Sequence, residues 1–368
     1  MQLDIKPLDS WLEIKKFPPV ISGPCSAETE EQVMQTAMKL SKIPNVRIFR
    51  SGIWKPRTRP GMFQGIGEEG LKWLKSVREE TGLLSAVEVA NPKHVEAALK
   101  NEVDILWIGA RTTVNPFSME ELAGVLKGVD IPVMIKNPVN PDLNLWIGAL
   151  ERFNQAGINR LAAVHRGFYF FDKTPYRNAP MWEIPIELKR LIPNMPVICD
   201  PSHICGEREL LKGVAQKALD LEMDGLMIES HIDPDHAWTD PEQQVTPEDL
   251  EKLIHSLVVR DQKGNIDFET KLEGLRTEID KIDAELIHIL TRRMELIDEI
   301  GTYKLDHNIT ILQLKRWQNI VQDRLKSGIA SGLKKDFLLK LLEIVHNESI
   351  QRQTDIYSRR NGKKNPLK

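Results

Sequence analysis

The chain has 368 residues, 41% of them hydrophobic and 28% charged, with a net charge of −3. That length allows two domains, three at most, and the composition is that of an ordinary soluble globular protein. It excludes the strongly basic class that meets nucleic acid by charge, and no apolar run is long enough to span a bilayer. Three cysteines, Cys25, Cys199 and Cys205, make no disulfide framework. The start, MQLDIKPLDSWLEIKKF, has no apolar signal core, so the expectation is a cytoplasmic protein without membrane or nucleic-acid partners.

Before residue 20 there is room for a small hairpin and not for a separate regulatory domain. From 20 to 260, short apolar runs alternate with amphipathic stretches. The runs are VISGPC (20–25), VRIFRSGI (46–53), LLSAVEV (83–89), DILWIGA (104–110), PVMIKNP (132–138), RLAAVHRG (160–167), PVICDPSH (196–203) and GLMIESH (225–231). They are rich in β-branched residues and mostly lack strict alternation, as strands buried on both faces do. Spacers such as EEQVMQTAMKLSK and HVEAALK read as crossover helices. The last helix is signalled by Thr246 as N-cap and Pro247 at its first position. Eight such units in roughly 240 residues predict an α/β fold, a (β/α)8 TIM barrel over residues 1–260.

Each run is apolar at its start and ends in a reactive side chain. In order these are Cys25, Arg50 (then Lys55 and Arg57), Glu88, Arg111, Lys136, Arg166, His203 and Glu229. The carboxyl ends of barrel strands open onto one face, where active sites sit. Two sets emerge there. Six cations, Arg50, Lys55, Arg57, Arg111, Lys136 and Arg166, crowd at a cost unless anions neutralise them; phosphate and carboxylate are natural ligands. The plainer alternative is separate surface charges paired with acids. Cys25, His203, Glu229 and Asp240 bring a thiolate, an imidazole and two carboxylates, a donor set for a divalent metal ion. Carboxylates suit Mn2+, while thiolate and imidazole suit Fe2+, Co2+ or Zn2+. Taken alone, Cys25 is a buried inert thiol and His203 a hydrogen-bonded loop residue; taken jointly, they are ligands. Cys199 and Cys205 read as packed thiols.

GPCSAE (23–28), KPRT (55–58), GAR (109–111), IKNP (135–138), HRGF (165–168), DPSH (200–203) and GLMIESH…D (225–240) resemble the 3-deoxy-D-arabino-heptulosonate 7-phosphate (DAHP) synthases. The form is the short type Iβ one, related to the 3-deoxy-octulosonate 8-phosphate synthases, and the resemblance covers nearly all of 20–260. It implies condensation of phosphoenolpyruvate with erythrose 4-phosphate, with release of phosphate, at the opening of aromatic amino-acid biosynthesis. By this resemblance Arg50, Lys55, Arg111, Lys136 and Arg166 hold phosphoenolpyruvate. Lys55, Pro56, Arg57 and Thr58 hold erythrose 4-phosphate, where the octulosonate enzymes carry an Asn-Arg-Ser type sequence. A divalent ion, Mn2+ before Fe2+, Co2+ or Zn2+, bound by Cys25, His203, Glu229 and Asp240, acts on the aldehyde as a Lewis acid. Lys55 is the candidate proton donor to the new alkoxide, with metal-bound water as its competitor, and Glu88 orients or activates water.

DQKGNIDFET (261–270) reads as a linker, after which the period changes. Leu272, Leu275, Ile279, Ile282, Leu286, Ile289, Arg293, Leu296, Ile300 and Tyr303 step by three and four, a seam along one helix of about 35 residues. Further helices are expected around 314–326 and 334–357, giving an all-α domain over 271–360 and a basic tail over 361–368. Arg293 sits in the seam at an apolar position, and Lys304 falls within about 20° of its face. Arg276 falls about 100° away and suits a partner chain's pocket instead. Ser349 and Gln353 share a face of the last helix. Cations and amides inside a helical bundle call for a small anion; a coiled-coil tether with polar register residues is the alternative.

LEGLRTEIDKIDAELIHILTRRMELIDEIGTYK (272–304) and SIQRQ (349–353) resemble the all-helical chorismate mutases. The resemblance implies that Arg276 of the partner subunit, with Arg293, Lys304, Arg316, Ser349 and Gln353, binds chorismate and releases prephenate. Arg293, Lys304 and Gln353 then stabilise the rearrangement by orientation and charge, without metal or nucleophile. The family's acids beside Arg316 are absent: Trp317 and Gln313 stand there. A bifunctional homodimer or larger homo-oligomer, its synthase inhibited by prephenate, is the expectation. The alternative is a synthase with a non-catalytic ligand-sensing or dimerising C-terminal module.

Overall fold

The computed structural model describes residues 3–14, 17–55, 61–260 and 266–362. Its contacts divide the chain into two compact units, Met1–Arg260 and Asp261–Lys368. No helix among the described residues is long and apolar enough to cross a membrane.

In the first unit eight parallel strands close into a barrel in chain order. They are β1 (Val20–Gly23), β2 (Val46–Arg50), β3 (Leu84–Val89), β4 (Ile105–Ile108), β5 (Val133–Lys136), β6 (Leu161–His165), β7 (Val197–Cys199) and β8 (Gly225–Glu229). β1 closes on β8 with Val20 opposite Leu226 and Gly23 opposite Glu229. Around them run α1 (Glu30–Leu40), α2 (Glu69–Thr81), α3 (Pro92–Lys100), α4 (Ala110–Thr113), α5 (Pro116–Val125), α6 (Leu143–Gln155), α7 (Glu183–Leu191), α8 (Pro201–Cys205), α9 (Leu211–Asp220) and α10 (Pro247–His255). Side chains of Thr29, Asn91, Asp142 and Thr246 accept first-turn N–H groups of α1, α3, α6 and α10. Each such cap contributes about 1 kcal/mol.

Strand side chains alternate between the barrel interior and the helix layer. Ile21, Ile48, Ala86, Trp107, Met134, Val164, Ile198 and Met227 fill the interior. Val20, Phe49, Val87, Leu106, Ile135, Ala163, Val197 and Leu226 face the helices. The alternation aims the next inward position at the mouth: two residues beyond Ile48, Ala86, Met134 and Met227 stand Arg50, Glu88, Lys136 and Glu229. Leu8 and Leu12 pack onto the same interior cluster. The expected N-terminal hairpin is absent among the described residues; a single 3-10 turn, Leu8–Ser10, stands there instead. Pro7, Pro18 and Pro19 lack the N–H donors a hairpin ladder uses.

The second unit is α11 (Ile266–Asp306), α12 (Leu314–Ala330) and α13 (Lys335–Gly362), with α13 packed on both others. At 41 residues α11 exceeds the predicted helix, because Ile266 to Thr270, read as linker, form its start. Gly301 lets α13 come close: a Cβ there would stand 3.0 Å from Gln353 Cγ. The seam residues Leu275, Ile279, Ile282, Leu286, Ile289 and Leu296 are each at least half exposed.

Candidate active sites

At the barrel mouth the strand-end residues converge. Arg50 is 2% exposed, and its guanidinium lies 4.8 Å from the Trp107 ring centre and 3.1 Å from Glu229 Oε1. Burial opposes its charge, but Glu229, together with Cys25, Asp200 and Glu88, outweighs that and raises its pKa. Lys136 Nζ donates to Asp200 Oδ2 at 2.8 Å, both groups buried. Trp107 Nε1 donates to Glu88 Oε2 at 3.2 Å. Lys55 Nζ donates to both the carbonyl oxygen and Sγ of Cys25 at 2.9 Å. Arg166 follows β6, held by its N–H to Asn137 Oδ1 at 2.7 Å. Burial lowers its pKa to about 10; Asp200 opposes this, and Arg177 and Arg111 add to it.

Among the described residues, one cavity of about 280 Å3 is lined by the cations Lys55, Arg111, Lys136, Arg166 and Arg177 and by two acids, Glu88 and Asp240. Lys136 and Arg177 are each paired with an acid, Asp200 and Asp240, but the five cations share one concave surface and outnumber the acids among its described lining. Low-dielectric walls strengthen their repulsion, so a bound dianion lowers the energy of the whole group. Of the residues read as holding the second substrate, Lys55 is at this mouth, while Pro56, Arg57 and Thr58 lie outside the described residues.

The four metal-type donors lie beside the cations as two pairs. Cys25 Sγ donates to Asp240 Oδ2 at 3.2 Å, and His203 Nε2 is 3.8 Å from Glu229 Oε1. Among the described residues no three such side chains form a ready cage. The donor chemistry nonetheless fits a divalent ion. Glu229 is fully buried, and its Oε1, though ion-paired with Arg50 at 3.1 Å, accepts no hydrogen bond among the described residues. Burial disfavours its charge, yet His203 whenever it is protonated, with Arg50 and Lys55, holds its carboxyl below the usual range. Burial also keeps His203 neutral against the pull of Asp200, as a metal ligand must be. Asp200 Oδ2 stands 2.8 Å from His203 Nδ1, which aims Nε2 at Glu229. Burial, with Glu229, pushes the Cys25 thiol to about 12, so it is a neutral donor until a cation displaces its proton. Burial disfavours charge at Asp240, but Arg177, with Lys55 and the Cys25 hydrogen bond, outweighs it and holds that carboxyl well below the usual range.

Sequence reasoning passed over Asp200, Arg177 and Trp107. Asp200 was visible in DPSH and Trp107 inside an apolar run, where neither periodicity nor charge marks a functional residue. Arg177 lies in a long loop and carries no such signal; its Nη1 donates to Asp240 Oδ1 and Gln243 Oε1, each at 2.8 Å. Cys199 and Cys205 are buried free thiols on the helix side.

Residues 16–263 match the model of the DAHP synthetase I family. The chain belongs to the DAHP synthetase I family. A phospho-2-dehydro-3-deoxyheptonate aldolase of Thermotoga maritima is 31% identical over 65% of this chain and 68% of its own length. A 2-dehydro-3-deoxyphosphooctonate aldolase of Synechococcus is 27% identical over 66% of this chain and 88% of its own. The crystal structure of the Thermotoga maritima DAHP synthase superposes with a TM-score of 0.58 at 27% identity, over 64% of this chain and 67% of that one. Residues 275–354 match the chorismate mutase type II family. A chorismate mutase domain therefore follows the DAHP synthase barrel, and the chain is an enzyme with both.

In the chorismate mutase unit, Arg293 Nη1 donates to Ser349 Oγ at 2.7 Å, and Ser349 in turn donates to Val345 O. Ser349 and Gln353 are buried, and among the described residues Gln353 Oε1 accepts no hydrogen bond. Lys304 Nζ donates to Ile311 O at 2.7 Å. Burial lowers the pKa of both Arg293 and Lys304. Cations thus disfavoured gain from an anion, and the orphaned amide oxygen faces the same helix pair. Arg276 and Arg316 are not brought to this group within one chain. Arg276 is exposed, 3.7 Å from Glu273, and Arg316 is exposed at the start of α12. Trp317, at the place of the missing acid, stacks on His346 at 3.7 Å and 10°.

Proposed function

We propose that residues 1–260 condense phosphoenolpyruvate with erythrose 4-phosphate to DAHP and phosphate, with a divalent ion. We further propose that residues 271–360 rearrange chorismate to prephenate, and that prephenate inhibits the synthase. The observation that carries the first reading is the five-cation, two-acid cavity beside Cys25, His203, Glu229 and Asp240.

In this reading Arg50, Lys55, Arg111, Lys136 and Arg166 bind the phosphate and carboxylate of phosphoenolpyruvate and fix its C3 toward the aldehyde. Cys25, His203, Glu229 and Asp240 hold the ion, which when bound supplies Lewis-acid polarisation of the carbonyl. Mn2+ is the first expectation. C3 of phosphoenolpyruvate forms the new bond to the aldehyde carbon. Lys55 Nζ gives a proton to the resulting alkoxide. Glu88, fixed by Trp107, orients water for attack at C2, and the phosphate leaves into the cations. Lys55, Pro56, Arg57 and Thr58 select erythrose 4-phosphate over the pentose phosphate of the octulosonate enzymes.

For the second reaction Arg293, Lys304, Arg316, Ser349 and Gln353 hold chorismate, joined by Arg276 of the partner subunit. The exposed apolar face of α11 supports a homodimer, since an isolated seam of that size is costly in water. Cytoplasmic location accords with substrates of this kind. Feedback requires prephenate to bind one domain arrangement better than another. The test is a chelated sample assayed for phosphate release as single divalent ions are returned, with erythrose 4-phosphate and arabinose 5-phosphate compared. Full activity in the chelated sample, or preference for the pentose, would overturn the synthase reading. Equal synthase rates with and without saturating prephenate would overturn the feedback.

A further inference from the structure

Two residues of the sequence motifs, Glu28 in GPCSAE and His231 in ESH, take no part in the chemistry above. Both are buried, Glu28 6% and His231 3% exposed. A carboxylate withdrawn from water persists only when paired and hydrogen-bonded. Glu28 Oε1 accepts from the Trp238 backbone N–H at 2.7 Å and lies 3.4 Å from Ser26 Oγ. Ser26 Oγ is itself 2.7 Å from Thr239 Oγ1. Glu28 Oε2 is 3.4 Å from His231 Nε2. His231 Nδ1 accepts from the Asp233 N–H at 2.9 Å, so the neutral ring carries its proton on Nε2, toward Glu28. Nearby, Gln244 Oε1 accepts from the Cys25 N–H, and its Nε2 donates to Thr239 O, both at 2.8 Å.

These bonds join the loop after β1 to the loop after β8, and they bracket one residue. Asp240 has φ 47° and ψ 51°, the left-handed region, and Pro241 follows it. A non-glycine residue there costs about 1–3 kcal/mol and persists only where its surroundings over-determine it. A following proline disfavours the helical regions further. The result of the strain is on the same side as the chemistry: Asp240 Oδ2 stands 3.2 Å from Cys25 Sγ. Two donors on one ion at bond lengths of about 2.0–2.3 Å are about 3–3.6 Å apart. The gap is already that of two ligands.

We propose that Glu28, through Trp238 and Ser26–Thr239 and together with Gln244, is a positioning residue that holds Asp240 in its left-handed conformation and presets the Cys25–Asp240 spacing for the metal. This rests on the reading of Cys25 and Asp240 as metal ligands. Glu28 touches none of the cations of the phosphoenolpyruvate cavity, so the clamp acts on metal affinity and not on anion affinity.

The test measures Mn2+ dissociation by the electron paramagnetic resonance of free Mn2+, and phosphoenolpyruvate dissociation by calorimetry on metal-free protein. In full-length Glu28→Ala, Mn2+ affinity is expected to fall about 10–100-fold, with phosphoenolpyruvate affinity within twofold. Glu28→Gln, which still accepts from Trp238, falls less. Mn2+ affinity in Glu28→Ala equal to wild type overturns the clamp, as does an equal loss of both ligands. Should Glu28→Ala not fold, Thr239→Val removes only the hydroxyl contact to Ser26. A severalfold loss of Mn2+ affinity there supports the clamp, and no loss overturns it. A Cys25→Ser variant whose Mn2+ affinity equals that of wild type overturns the metal reading beneath it, a result distinct from any of these.

Discussion

Replacing Asp200 by Asn removes one charge and almost no volume from the centre of the barrel mouth. The Asp200 side chain accepts from the His203 backbone N–H at 3.1 Å, and Asn keeps that acceptor, so α8 stays capped. What is lost is the pair of 2.8 Å contacts of the charged Oδ2, to His203 Nδ1 and to Lys136, whose side chain is 5% exposed. At an effective dielectric of about 20 the attraction to Lys136 is about 6 kcal/mol. Taking the two ions out of water costs several kcal/mol each, so the intact pair is near break-even. Removing one partner is different: it strands a buried ammonium, at about 3–5 kcal/mol. Urea unfolding followed by tryptophan fluorescence reads this directly, because of the eight tryptophans all but Trp317 lie in the barrel unit. Asp200→Asn should lower the barrel's stability by that amount and synthase activity at least about tenfold, leaving chorismate mutase activity as an internal control. Lys136→Met with Asp200→Asn should recover most of the stability and none of the synthase activity. A single variant within about 1 kcal/mol of wild type, or a double variant no more stable than the single one, would refute the reasoning.

His165 faces the helix layer, fully buried beside Phe168 and Trp182. Burial, then Arg166, lowers its pKa to about 3. A depressed folded pKa means stability that is complete above the unfolded value near 6.5 and lost as pH falls toward 3. Between pH 7 and pH 4 the His165→Leu barrel should therefore lose about 3 kcal/mol less than wild type; parallel losses would contradict this. Gly109→Ala places a Cβ 2.1 Å from Glu88 Oε1. Synthase kcat should drop at least about tenfold with chorismate mutase unchanged, and a normal kcat would mean Glu88 has no fixed role. Ser349→Ala frees Arg293 from its 2.7 Å partner. Chorismate mutase kcat/KM should fall about tenfold, the range for one lost charge-assisted hydrogen bond, while DAHP formation stays at wild-type rate.

The barrel was legible because its two signals are local. Strands buried on both faces leave unbroken apolar runs such as ILWI, and reactive residues follow at each carboxyl end. The convergence of charged strand ends was legible for the same reason: Arg50, Glu88, Lys136 and Glu229 stand at inward strand positions, and the pleat aims them at one mouth. The α11 seam was legible from its period, although its start was placed too late, since DQKGNIDFET is polar and polarity does not distinguish a linker from an exposed helix.

Other features depend on pairs far apart in the chain, and no window of sequence contains them. Lys136 and Asp200 are partners only because β5 and β7 point them into the same low-dielectric mouth. Arg177 reaches Asp240 from a loop without any motif, and Glu28 reaches Trp238 across the closure of β1 on β8. Arg276 and Arg316, which resemblance assigns to the second site, are not gathered there by one chain, because a straight helix turns Arg276 to a different face from Arg293. Composition, period and strand-end chemistry by themselves determined the fold class and which charged side chains reach the barrel mouth, since those follow from neighbours along the chain. Which acid restrains which cation, and which carboxylate stands 3.2 Å from the Cys25 sulfur, only the tertiary structure decided, because burial and distance set the strength of a charge and both exist only once the barrel has closed.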